Sequence, residues 1–505
     1  MYNSVLCYLE KTVEKYPDKT AVVDKGGNIT FKKLKHCAQI IASAISEKNV
    51  GVRKPVLVYL PKSRWSIVSF MGILYSRNFY TPTDVGFPFE KVKSILDCLH
   101  PVLIITDGAN KGKLIKNDVS QDIILNIDEL DFDSLQVVSN IDHIIDTDLV
   151  YTLFTSGSTG IPKGVAITNR SIIDYVDWVK DTYQVSDKDK IGNQAPFYFD
   201  NSTLDIYTAL CTGATLYIIP ETLFAFPAEL MQYVRDHLIN MVFWVPSVLI
   251  NIANSDILSR IDCCCLNKIL FAGEVMPNRH LNYWRRFIPE ALYSNLYGPT
   301  EITVDCTYYI VDRQFEDDEP LPIGIPCRNS DVFILSEENT LIEKEGQIGE
   351  LCVRGSSLAV GYLGNEEKTK EVFVQNPLNS LYKELIYKTG DLVYYNDRNE
   401  IMFVGRKDFQ IKHMGYRIEL GEIENAVMKV PEIGNACVIY DSQNKDIILC
   451  YEAVEDIMDK DIRRFLTKVI PKYMIPTKYR RYDSLPLTDN GKINRKLLES
   501  ECIGD

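Results

Sequence analysis

The chain has 505 residues, 46% hydrophobic and 25% charged, which suits a globular protein with room for two or more domains. Its 55 basic and 69 acidic residues leave a formal charge of -14, which argues against general nucleic-acid binding and against an anionic membrane surface. The 13 cysteines are odd in number and show no CxxC spacing, and three are adjacent (Cys263, Cys264, Cys265), so free and mostly buried thiols in a reducing compartment are expected rather than a metal cluster.

At the N-terminus Leu6, Leu9 and Val13 are spaced like a helix face, and Glu10 and Glu14 break any signal-peptide core. No apolar run is long enough to span a bilayer, so no membrane span and a cytoplasmic location are expected. Short apolar runs at 56–60, 103–106, 123–125, 214–219, 241–245 and 269–271 read as strands. Amphipathic stretches lie between them, such as 172–183 with Asn169 as candidate N-cap. This alternation predicts an α/β body with largely parallel sheets.

The apolar run 149–154 reads as a buried parallel strand. It leads into Thr155, Ser156, Gly157, Ser158, Thr159, Gly160, Ile161, Pro162, Lys163 and Gly164. Small residues let backbone N–H groups approach an anion, hydroxyls add donors and lysine adds charge, so this is a phosphate-handling loop. It is not a Walker loop: Pro162 removes an N–H just before Lys163, and Gly164 stands where Ser or Thr is required. Two later strand-like runs also end in Gly-containing turns, one at Ala272, Gly273 and Glu274, the other at Tyr297, Gly298, Pro299, Thr300 and Glu301. Open α/β sheets bind ligands outside the carboxyl ends of their strands, so the three turns predict one shared crevice, although each alone reads as an ordinary βα turn.

The composition changes after about residue 320. Residues 346–350 and Thr389, Gly390 and Asp391 read as β turns, and 392–395 with 401–404 read as a hairpin around 396–399. A compact α+β pattern follows: a helix at 419–429, paired strands at 436–440 and 447–451, and a helix face marked by Ile462, Phe465, Leu466 and Val469. The expected domains are therefore residues 1–407 and 408–505, the second of about a hundred residues.

Four residues suggest chemistry. Glu301 offers a hard oxygen ligand for Mg²⁺, Asp391 an acceptor for ribose hydroxyls, and Tyr297 a ring for a purine. Lys492 sits on a tight turn after Asn490 and Gly491. Taken singly, each also has a plain structural reading: a surface pair, a turn former, a core ring and a solvated tip.

Together and in order, these segments resemble the adenylate-forming superfamily of nonribosomal-peptide adenylation domains, acyl-CoA synthetases and luciferases. The matching segments are 155–164, 297–301, 387–391, 405–412, 415–419 and 490–493, with Tyr80 to Asp84 as an N-terminal match. Within it the chain looks most like stand-alone D-alanine–carrier protein ligases and amino-acid adenylation enzymes, through Phe199, Asp200, Asn201 and Ser202 and through 271–277. The resemblance implies a large N-terminal multi-subdomain α/β body and a small mobile α+β C-terminal domain. It implies a ligase that uses ATP and Mg²⁺ to turn a carboxylate into an acyl-adenylate with release of pyrophosphate. A thiol then attacks and AMP leaves.

By the same resemblance, Thr155, Ser156, Gly157, Ser158, Thr159, Gly160 and Lys163 would hold the β- and γ-phosphates. Asn295, Leu296, Tyr297, Gly298, Pro299 and Thr300 would meet the nucleotide, with Thr300 and Glu301 serving the α-phosphate and metal. Asp391 and Arg406 would fix the ribose. Lys492 would bridge substrate carboxylate and α-phosphate, Asp408 would be the hinge, and Gly415 would line the pantetheine path. Asp200 would pair with a substrate α-ammonium, since a buried carboxylate without a partner is costly; its alternative is a helix cap. Asn201, Leu204, Trp244, Leu270, Ala272, Leu296, Val304 and Asp305 would line a pocket for a small α-amino acid, alanine- or serine-like. Ala272, Asn201 and Asp305 depart from the D-alanine ligase pattern. The acceptor would be the phosphopantetheine arm of an acyl or peptidyl carrier protein. The alternatives are an acyl-CoA synthetase using free CoA and a non-catalytic adenylate-binding protein.

Overall fold

The computed structural model describes residues 2–134, 141–155, 161–407, 410–453, 455–487 and 493–503. Ser156, Gly157, Ser158, Thr159, Gly160, Asp408 and Lys492 lie outside the described residues. The chain divides into two compact units. One comprises Met1–Val85, His100–Leu153 and Gly164–Lys407, the other Gly86–Leu99, Phe154–Lys163 and Asp408–Asp505.

Two largely parallel sheets form the α/β part. The nine-stranded one runs, in spatial order, Ile325–Pro326, Thr307–Ile310, Leu292–Tyr297, Lys268–Ala272, Met241–Trp244, Lys190–Asn193, Thr215–Ile218, Thr20–Asp24 and Gly27–Thr30. The seven-stranded one runs Gly361–Tyr362, Lys163–Thr168, Leu149–Thr155, Phe79–Pro82, Pro55–Tyr59, Leu103–Thr106 and Ile124–Asn126. Their strands read as continuous apolar runs because both faces are covered. In Met241–Trp244, Met241 and Phe243 join one core while Val242 and Trp244 join another. The first core takes in the helices Leu6–Lys15, Phe31–Glu47, Arg64–Tyr75, Asn169–Thr182 and Asn201–Thr212. Helix Arg64–Tyr75 is buried from Ser66 onward and crosses Phe31–Glu47 closely at Gly72, where a Cβ would fall 2.7 Å from Ile41 Cβ.

Helix Asn169–Thr182 begins one residue earlier than its sequence suggests. Thr168, not Asn169, is the N-cap, its hydroxyl accepting from Ser171 N. Asn169 instead ties the N-terminus down: its Oδ1 accepts from Val5 N and its Nδ2 donates to Asp148 O.

A six-stranded antiparallel sheet follows, made of Ser330–Leu335, Leu341–Ile342, Gly349–Gly355, Phe373–Gln375, Leu385–Tyr395 and Ile401–Arg406. Residues 389–391 are not a turn here. They lie inside the strand Leu385–Tyr395, where pairing with Gly349–Gly355 slips between Glu350 and Cys352 and Gly390 takes φ 75°. This is a bulge, a device that re-aims one side chain within a sheet.

In the second unit, strands Gln410–His413 and Tyr416–Glu419 pair through Met414 and Gly415, both at positive φ (51° and 82°), as a two-residue primed turn demands. Gly415 thus has a backbone reason to be glycine. Helices Leu420–Val427 and Asp459–Leu466 share a core with Ile433–Asp441 and Asp446–Ala453. All 13 cysteines are free thiols. Among the described residues, no helix is long and apolar enough to cross a membrane.

Candidate active site

Strand Leu292–Tyr297 delivers Tyr297 at its carboxyl end, where the ring is 7% exposed and lies 6.4 Å from Phe403. Its hydroxyl donates to Asp391 Oδ2. Arg406 donates to Asp391 Oδ1 at 2.7 Å and to Thr389 O at 3.2 Å. Asp391 and Arg406 are direct cross-strand partners in register, so the hairpin sets the ion pair and the bulge aims the carboxylate. Glu350 secures the bulge, accepting from Gly390 N at 3.0 Å and pairing with Lys407 at 3.1 Å. Burial and the nearby Asp391 charge push the Tyr297 phenol far above its usual range, so it stays a neutral donor.

The turn after Tyr297 is cramped. A Cβ on Gly298 would lie 2.4 Å from Val304 O and 2.5 Å from Asp305 Cα. Pro299 leads into a short 3₁₀ turn, Thr300–Ile302, which buries Glu301 completely. Thr303 and Val304 then take φ 61° and 72°, a left-handed conformation that costs β-branched residues on the order of 1–2 kcal/mol each. Thr303 Oγ1 donates to Ser357 O at 2.7 Å and helps hold it. Glu301 Oε1 accepts from Tyr362 OH at 2.7 Å. Asn295 Nδ2 reaches Pro322 O at 2.8 Å, bracing the strand from behind the turn.

No group of three or more His, Cys, Asp or Glu stands ready for a metal among the described residues. One buried carboxylate fits a hard cation that arrives with phosphate oxygens and water, and does not fit an all-protein cage.

Asp200 precedes the helix Asn201–Thr212, is 7% exposed and makes no capping hydrogen bond to it. Asp200 therefore stands at the N-cap position without its side chain capping the helix. Leu204, Leu270, Ala272, Leu296 and Val304 lie in one continuous core, with Ala272 and Leu296 directly paired between parallel strands. Trp244 is not brought to them. It faces the other core, its indole N–H on Gly192 O at 2.9 Å and its ring against Phe224. Strand alternation explains this, because Trp244 and Leu270 sit one register step apart. Asp305 is buried and accepts from Tyr175 OH at 2.6 Å. In the second unit, Thr155 Oγ1 is buried with no hydrogen-bond partner among the described residues, and Lys163 Nζ stands 3.6 Å from Glu419.

The family model described as AMP-binding enzyme matches residues 9–363, and that of the AMP-binding enzyme C-terminal domain matches 422–492. The chain belongs to the AMP-binding enzyme family. It is an AMP-forming ligase, and ATP is the nucleotide that adenylate-forming enzymes use. Zwittermicin A synthase ZmaJ of Bacillus cereus is 32% identical across 97% of this chain and 93% of its own length. D-alanine–D-alanyl carrier protein ligase of Bacillus anthracis is 32% identical across 98% of both chains. Gramicidin S synthase 2 of Brevibacillus brevis is 33% identical across 98% of this chain, which spans only 11% of that synthase. Among solved structures, holo-PA1221, an NRPS protein containing adenylation and PCP domains, superposes with TM-score 0.84 at 23% identity, covering 99% of this chain and 84% of that one. Amide bond synthetase McbA from Marinactinospora thermotolerans gives 0.85 at 17% identity over 98% and 99%. These likenesses show that the fold is the adenylation fold.

In this AMP-binding enzyme three tyrosines outside the matching segments support residues of the candidate site. Tyr175 holds Asp305, Tyr362 holds Glu301, and Tyr151 accepts from Thr203 at 3.2 Å one turn beyond Asp200. Each comes from an element distant in sequence from its partner, so spacing alone carries no signal for them. Asp205, on the same helix as Thr203, is fully buried, with Oδ2 on Asn193 Nδ2 at 2.8 Å and, among the described residues, no hydrogen bond to Oδ1. Burial pushes its carboxyl up to about 8. Burial pulls the Lys62 ammonium down to about 8; it reaches Gln194 O at 2.8 Å.

Proposed function

We propose that this ligase activates a small α-amino acid, alanine- or serine-like, as an aminoacyl-adenylate and hands it to the phosphopantetheine thiol of a carrier protein. The observation that carries the amino-acid reading is Asp200, a buried carboxylate at the start of the helix Asn201–Thr212. Such a group favours a substrate that brings an ammonium, and discriminates against acids that lack one. Leu204, Leu270, Ala272, Leu296 and Val304 leave apolar walls, and Asp305, held by Tyr175, adds one polar contact. The full-length likeness to D-alanine–D-alanyl carrier protein ligase supports a carrier-bound thiol as acceptor.

ATP would lie with its ribose at Asp391 and Arg406 and its base beside Tyr297. Phosphoryl transfer of this type needs alignment and neutralisation of charge more than covalent help. Thr300 would donate to the α-phosphate, and Thr155, Lys163 and the intervening residues would take the outer phosphates. Glu301 would hold Mg²⁺; when bound, the cation neutralises charge on the phosphate oxygens. Lys492 would meet the merging charges of carboxylate and α-phosphate. Asp408 as hinge and Gly415 on the pantetheine path keep the roles their motifs imply.

Amino-acid-dependent ATP–pyrophosphate exchange tests the reading. Exchange should occur with alanine or serine, in one or both enantiomers, and fall on the order of 100-fold or more in Asp200→Ala. Exchange driven only by acids without an α-amine would overturn it, and efficient AMP-linked thioester formation on free CoA rather than a holo-carrier would move the acceptor to CoA.

A further inference from the structure

Glu301 is gripped by one short segment on both its main chain and its side chain. Ala359 N donates to Glu301 O at 2.8 Å, and Tyr362 OH donates to Glu301 Oε1 at 2.7 Å. The same segment accepts from Thr303 Oγ1 at Ser357 O. It is itself fixed to the strand Lys163–Thr168: Gly361 and Tyr362 pair with Ala166 and Val165, Val360 N donates to Ala166 O at 3.0 Å, and Leu363 N donates to Gly164 O at 2.7 Å. Thr369 fixes it from the other side, its Oγ1 accepting from Tyr362 N at 3.0 Å. Gly361, at φ 137°, leaves no room for a side chain there, since a Cβ would fall 2.5 Å from Thr369 Cγ2. The Tyr362 ring is 6% exposed and meets Phe373 edge-on.

This is a rigid donor on a rigid strap, aimed at a flexible carboxylate. A glutamate side chain has three rotatable bonds and loses rotamer freedom when fixed. Tyrosine has two rotatable bonds, and here both ring and backbone are packed. Anchoring Oε1 sets the plane of the carboxylate in advance, so binding a cation need not order it.

We propose that Tyr362 is a positioning residue that orients Glu301 toward the divalent cation accompanying ATP. The inference rests on the reading of Glu301 as the metal's protein ligand. Groups that hydrogen-bond metal-ligating carboxylates set metal affinity, by about 10–100-fold when removed.

Mn²⁺ is the probe, with the α,β-methylene analogue of ATP and the full-length protein, and bound Mn²⁺ is counted by its electron paramagnetic resonance. Tyr362→Phe keeps the ring and should weaken Mn²⁺ in the ternary complex by about 10–100-fold. High Mg²⁺ should restore its pyrophosphate-exchange rate, so the Mg²⁺ requirement shifts while kcat is kept. A structural role would lower thermal stability and leave Mn²⁺ affinity unchanged, which overturns the proposal. Glu301→Gln separates the two layers. If it leaves Mn²⁺ affinity intact, the ligand reading falls and takes the proposal with it; if it weakens Mn²⁺ while Tyr362→Phe does not, only the positioning role falls. 3-Fluorotyrosine at 362 covers the case in which the phenylalanine variant does not fold: its ¹⁹F resonance should broaden with Mn²⁺ and nucleotide, and an unbroadened line counts against the proposal.

Discussion

Asp391 is one residue answering two neighbours, with Tyr297 on one oxygen and Arg406 on the other. A carboxylate has about four acceptor positions, so these two donors aim it and still leave positions open. Asp205 is a carboxyl that burial holds protonated near neutral pH. Its unfolded value is about 3.9. Between about pH 4 and pH 8 the unfolded chain has given up this proton and the folded chain has kept it, so its contribution is complete below pH 4 and lost as pH rises through about 8. Lys62, lowered to about 8, works the other way: its contribution is present above about pH 10.4 and lost as pH falls through about 8. Asp205→Asn should therefore flatten the decline in urea midpoint from pH 5 to pH 8 by the equivalent of about one proton. An unaltered slope would mean that Asp205 is ionised in the fold.

The loop 298–305 shows what an element can impose on single residues. Two consecutive β-branched residues, Thr303 and Val304, sit at positive φ, while Gly298 is required by contact rather than by φ. Gly298→Ala would drive a methyl group into backbone that cannot rotate away, at a cost of about 1–3 kcal/mol or a displaced loop. Expected is a fall of at least about tenfold in kcat/KM for ATP with far-UV circular dichroism unchanged; wild-type kinetics would show that the loop yields. Elements also explain where the sequence misleads. Thr389, Gly390 and Asp391 have turn composition, yet the glycine serves a bulge inside a strand. Thr168 and Asn169 are both good caps by composition, and the main chain at Val5 decides between them. Trp244 follows the strand's alternation into the second core. The strands themselves were legible, because runs buried on both faces are apolar throughout.

At the scale of the molecule the thiols give a simple measure of packing. Eight of the 13 cysteines are buried and only Cys264 is exposed. Burial raises the thiols of Cys37 to about 11 and of Cys211, Cys263, Cys352 and Cys437 to about 12, which suppresses the reactive thiolate. A thiol reagent should find all 13 in guanidinium, whereas in the native protein Cys264 should react first and the eight buried thiols should wait on unfolding. Fast native reaction of most of them would contradict the packing.

The sequence by itself determined the family, the alternating α/β body, the composition break after the parallel sheets, and the polar residues that bear charge: Asp200, Glu301, Asp391 and Arg406. Those are local facts, written in hydrophobic periodicity and in short runs whose residue types the chemistry restricts. Tertiary structure decided what each of them touches. Tyr175, Tyr362 and the bulge at Gly390 reach their partners across 130, 61 and 40 positions, through register and strand alternation. A hydrogen bond between distant segments depends on which faces the sheets turn toward each other, and no window along the chain contains that information.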